Sequence, residues 1–132
     1  MHAYLGDRRG LLDAVQVRIV ARLDRWVDHG LRRAVDRAGR LRALVDGLFA
    51  FVAAEHEAWG VLAATGGLDH PALHQLRLRW SALLDGDGDA RGPAAQAVVA
   101  GLLLGVGPWV SAGVEPAQVL PPLRAALGLP SP

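Results

Sequence analysis

Residues 1–27, MHAYLGDRRGLLDAVQVRIVARLDRWV, decide the fold class. Leu12, Val15, Ile19, Leu23, Trp26 and Val27 recur at steps of three and four, the period of one helix face. Asp7 precedes the periodic run and is placed to act as N-cap, its carboxylate accepting from a free N–H of the first turn. The stretch predicts a helix over about 8–34, of which roughly 20 periodic residues span about 30 Å. Gly30, after His29, is a candidate interruption, because an interior glycine costs about 1 kcal/mol relative to alanine.

Working outward, the same period returns in each later segment. Asp36 and Gly39 punctuate a second helix, about 38–55, with Leu41, Leu44, Val45, Leu48, Phe49 and Val52 as its stripe. His56 extends that stripe by four residues. A short third helix, about 56–64, carries Trp59 and Leu62, and Gly66-Gly67 ends it because glycine accepts the left-handed conformation. Asp69 or His70 caps a fourth helix with Pro71 in its first turn, where a missing N–H is harmless. Its stripe is Leu73, Leu76, Trp80 and Leu83. Pro93 opens a fifth helix, about 93–112. Pro116 opens a sixth, expected to break at Pro121-Pro122. β-Branched residues nowhere alternate over a run that would make a strand. The fold class is therefore all-α: an antiparallel bundle of five to six helices.

The 132 residues suit one domain, and 52% of them are hydrophobic, enough to bury a core. There is no cysteine, which excludes disulfides and thiolate metal sites. The opening residues lack a basic start followed by an apolar run, so no signal peptide is expected and the cytoplasm is the expected location. The net charge of +1 hides an asymmetry: residues 1–42 hold ten arginines against five aspartates, and the remainder carries the acidic excess. A basic segment suits a polyanion. Asp13, Asp24, Asp28 and Asp36 interleave with those arginines at helical spacing, so internal pairing accounts for most of the charge.

Residues 93–114, PAAQAVVAGLLLGVGPWVSAGV, contain no charge. By length they make a candidate membrane span. Richness in Ala and Gly, together with Gln96, Pro108 and Ser111, argues instead for a helix buried on all sides, against its own domain and a second subunit. Ala97, Gly101 and Gly105 form a small-residue ridge at four-residue spacing, suited to close helix approach.

Catalytic patterns are poor, and no enzyme activity is expected. Ser81, Ser111 and Ser131 lie in no nucleophile-elbow setting. Glu55, His56 and Glu57 offer acid–base groups but no supported pair. His70 and His74 share a helix face with only Asp69 near, so capping and surface roles are expected and no metal. DGDGDARG, residues 85–92, starts like a calcium loop, but Ala90 and Gln96 stand at its glycine and glutamate positions. It reads as a polar loop, and no cofactor is implied. Trp26, Trp59, Trp80 and Trp109 fall on four different helices, on or beside the apolar stripes, where they fill a core or line a pocket between helices.

The segment YLGDRRGLLDAV, residues 4–15, resembles a junction found in the TetR family of bacterial transcriptional regulators. There the recognition helix runs into a Phe-Gly-Ser-Lys-Glu-x-Leu-Leu type segment that opens the fourth helix. Leu5 stands for the Phe, Gly6 matches, Asp7 replaces the Ser, Arg8 replaces the Lys, and Leu11-Leu12 match. His2 stands where a phosphate-contacting Tyr is usual. WVSAGVEPAQVLPPLRAAL, residues 109–127, is similar to the family's join between its last two helices.

The resemblance implies an effector-binding and dimerisation domain, residues 8–132, after a junction remnant, residues 1–7, with no helix-turn-helix in the given sequence. Arg8 takes the DNA-phosphate position. Phe49, Val52, His56, Trp59, Trp80 and Leu83 are the expected pocket for a hydrophobic small-molecule effector, with His56 orienting it. Val98, Gly101, Leu102, Gly105, Trp109, Leu123 and Leu127 are the expected homodimer interface. DNA is a partner only if a helix-turn-helix lies upstream, and no membrane partner is expected. The alternatives are a dimerisation module that pairs with a full-length regulator and, further off, a small membrane-associated helical protein.

Overall fold

The computed structural model describes residues 2–85 and 93–130, and of residues 2–7 the backbone path alone. Of the polar loop expected over 85–92, Asp85 is the last residue of α4, and residues 86–92 lie outside the described residues. Six α-helices and a short 3-10 turn follow in order: α1 His2–Arg33, α2 Arg37–Ala54, α3 His56–Ala64, the turn Gly67–Asp69, α4 Pro71–Asp85, α5 Pro93–Ser111 and α6 Pro116–Ala126. No strand occurs among the described residues. The chain is a helical bundle, as the periodicity requires.

α2 is its centre and touches every other α-helix. Its Leu41, Leu44, Val45, Leu48 and Phe51 are fully buried. Asp36 starts it: extended at φ −146°, it accepts from the Gly39 N–H at 2.7 Å through Oδ1. α1 returns antiparallel along α2, and small residues set the crossing. A Cβ on Gly47 would stand 3.0 Å from the Val27 Cα, and one on Gly30 3.1 Å from the Ala43 Cβ. Gly30 therefore does not interrupt α1; it lets α2 approach.

Asp7 is not the cap of α1, because the helix is already under way at His2. The expected stripe of α1 also divides. Ile19, Leu23 and Val27 are buried, whereas Leu12, Val15 and Trp26 are exposed. For Leu12 and Val15 the reason is length. α1 has 32 residues and its partner α2 has 18. The difference of fourteen is about 21 Å of helix. Burial along α1 accordingly begins at Gln16, one turn after Asp13, which still reaches His70.

At the far end of α3, Gly66 takes φ 76°, the left-handed turn expected there. α4 opens on Pro71, and its cap is His70, whose Nδ1 accepts from the Ala72 N–H at 3.0 Å. α6 runs unbroken through Pro121 and Pro122, against expectation. The two carbonyls left without a donor belong to Ala117 and Gln118, both on exposed residues, so water serves them. α5 buries Ala95, Val98, Val99, Leu102, Leu103 and Val106 against α2, α4 and α6. Its opposite face stays bare.

Candidate functional site

Polar ties bind α1 to the rest of the bundle, and two of them anchor the start of its buried stretch. Gln16, 7% exposed, donates through Nε2 to both the carbonyl and the hydroxyl of Thr65 at 3.0 Å, where α3 ends. The His70 ring donates through Nε2 to Asp13 Oδ1 at 2.6 Å. The backbone bond to Nδ1 fixes that neutral tautomer. Both ring nitrogens are thereby engaged, which removes His70 as a metal ligand beside His74. Further along, Asp24 pairs with Arg79 of α4, and Arg22 pairs with Glu55 between α2 and α3.

An aromatic ladder crosses the bundle at the level of Glu55. Trp26 meets Phe51 edge-on with ring centres 6.4 Å apart, and Phe51 meets Trp59 edge-on at 6.4 Å. Trp26 is exposed on its outer side and donates from Nε1 to Glu55 Oε2 at 2.6 Å. Trp59 lies over α5, where a Cβ on Gly107 would come within 2.8 Å of its Nε1. Bulk on one helix is met by a missing side chain on another.

The six expected pocket residues do not gather around one opening. Phe49, Val52, Trp59 and Trp80 are core residues, and Leu83 is half-buried. His56 is exposed at the start of α3, so it is not placed to orient a ligand held among them. Trp80 is 1% exposed, and its Nε1–H finds no acceptor among the described residues. A buried donor left so costs about 1–3 kcal/mol. Trp80 and Arg124 carry the two buried side-chain polar atoms without a partner among the described residues.

The seven expected interface residues also separate. Val98, Leu102 and Leu127 are buried within the subunit. Gly101 faces outward, and Gly105, Trp109 and Leu123 are half-buried. Trp109 stacks on Phe49 with ring centres 6.1 Å apart and 11° between planes. Its ring also covers Gly105, 2.5 Å from where a Cβ would stand. The small-residue ridge is therefore open at Ala97 and Gly101 and closed at Gly105. Leu104, 70% exposed, is the largest apolar side chain on this outer face. α5 is also long and apolar enough to cross a membrane, with mean hydropathy 1.5 over a window that is 33% buried.

The arginines of the basic segment have mostly local work. Arg37 donates from Nε to the Leu84 carbonyl at 2.6 Å, and Arg40 from Nε to the Leu83 carbonyl at 2.8 Å. These carbonyls end α4, where a cation also meets the negative end of the helix dipole. Arg32 pairs with Asp28 at 2.7 Å along α1, and Arg42 lies 3.6 Å from Asp46 along α2. Arg8 is exposed near the start of α1. Gln16 and the Arg37–Arg40 pair went unread in the sequence. A lone Gln replacing an apolar residue in the stripe was the available signal for Gln16.

No protein-family model, characterised protein or solved structure matches the chain.

Proposed function

We propose that this chain is the effector-binding and dimerisation domain of a TetR-like transcriptional regulator, acting as a cytoplasmic homodimer. The observation that carries the reading is the outer face of α5. It has no charge between 93 and 114, and Ala97, Gly101, Leu104 and Pro108 stand exposed on it. A bare apolar face of this kind marks a contact surface. Two such helices, related by a twofold axis, would cover each other.

The ties on α1 support the mechanism. A hydrophobic effector held near Trp59 and Trp80 would favour one arrangement of α3 and α4. Those helices grip α1 through Thr65, His70 and Arg79. An effector that binds one arrangement better than another shifts the population and moves α1 with it. In an intact regulator, α1 would set the spacing of two DNA heads. The unmet Trp80 N–H supports an effector that carries a hydrogen-bond acceptor on an apolar body.

Sedimentation velocity at tens of micromolar tests the reading. A dimer is expected, and a monomer across that range overturns it.

A further inference from the structure

We infer that a groove between α2 and the α5–α6 corner binds an elongated amphipathic carboxylate, such as a fatty acid, with its head at Arg124. Two cavities form the groove, of about 430 and 360 Å³, and they meet at Asp46, Glu115 and Pro116. One wall is a single face of α2, on which Arg42, Asp46, Phe49, Ala50 and Ala53 follow at helical steps. The other wall is the end of α5 and the start of α6.

The groove is graded along its length. Arg42 and Arg124 border the first cavity together with Asp46 and Glu115, and Leu120 and Pro121 of α6 supply its apolar side. The second is bordered mainly by Phe49, Ala50, Ala53, Val110 and Val114. From Arg42 to Ala53 the wall is about 16 Å long, the reach of a medium-length alkyl chain. A molecule charged at one end and aliphatic along the rest fits this order.

The sign of the head follows from the unmet atom. Arg124 Nε is buried beside the first cavity and has no acceptor among the described residues. A buried guanidinium donor favours an anionic acceptor, and a carboxylate matches its planar fork. Arg42 adds a second cation, held loosely by Asp46 at 3.6 Å. The acids of the groove, Asp46 and Glu115, stand where the two cavities meet; both are exposed and solvated, so they oppose a carboxylate only weakly. The site is distinct from the core positions of the effector reading, with Phe49 common to both, and it does not depend on the dimer.

Titration calorimetry with dodecanoate tests the proposal, using wild type, Arg124→Met and Ala50→Phe, with helicity checked by circular dichroism. Met keeps an apolar stem where Arg124 runs, and Phe obstructs the tail end from an exposed position. Saturable binding to wild type is expected, weakened at least about tenfold by each change, as loss of a charge-assisted hydrogen bond or of tail burial requires. Dodecanol, with the same tail and no charge, should bind wild type at least about tenfold more weakly, a comparison that needs no variant. Absence of saturable binding, equal affinity for the alcohol, or folded variants that bind like wild type would each overturn the site. Binding by a chain that sediments as a monomer would leave the site standing and remove the dimer.

Discussion

At the scale of single residues, two glycines in helix interiors have opposite roles. Gly47 and Gly60 each sit inside a helix. A Cβ on Gly60 meets nothing within 4 Å, whereas one on Gly47 meets the Val27 Cα and Cγ2 at 3.0 Å and the Trp26 carbonyl at 3.1 Å. Gly60→Ala should therefore stabilise the fold by about 0.5–1 kcal/mol through helix propensity alone. Gly47→Ala must push α1 away from α2 and should destabilise by about 1 kcal/mol or more. Urea unfolding of the two variants reads both signs, and equal shifts would refute the close crossing. Helical spacing could not separate these glycines, because the crossing point of two helices is a long-range fact. The same holds for Gln16. Its position in the stripe is visible in sequence, but its partner lies 49 residues away in Thr65. His70 was legible as a cap because its acceptor role is local.

At the scale of elements, helix existence was legible almost throughout, since each stripe repeats for several turns and is bounded by Asp36, Gly66, Pro71, Pro93 or Pro116. Two ends were not. Asp7 offers cap chemistry, but α1 continues through it. Pro121 and Pro122 read as a break, but the exposed backbone they affect is solvated. The basic segment shows how an element reassigns charge. Arg37 and Arg40 open α2 and close α4, so a cluster that suits a polyanion is partly a helix cap. Arg40→Met should cost about 1 kcal/mol and fray the last turn of α4. Hydrogen exchange should accelerate at residues 82–85 and stay unchanged in α3. Uniform acceleration across the bundle would contradict a local cap.

At the scale of the whole molecule, the chain leaves its most apolar helix half uncovered. The core side of α5 holds Val98, Leu102 and Val106, the first two of which were expected at the interface. Neither side was readable in the sequence, because a run without charge shows no face. The burial pattern separates the two: Leu102 is 0% exposed and Leu104 is 70% exposed. The proposed dimer makes Leu104 an interface residue and predicts that a charge there is tolerated by the subunit and not by the pair. Gly101→Ala adds bulk on the same face without touching its own subunit, so it should weaken association while leaving unfolding unchanged or slightly improved.

The most direct measurement of the central claim is the solution mass of wild type and Leu104→Arg by light scattering, with helicity compared in the same samples. Wild type should have the mass of two chains and Leu104→Arg that of one, with unchanged helicity. A monomeric wild type, or a folded Leu104→Arg variant that remains a dimer, would contradict the assignment of α5 as the surface through which this protein pairs.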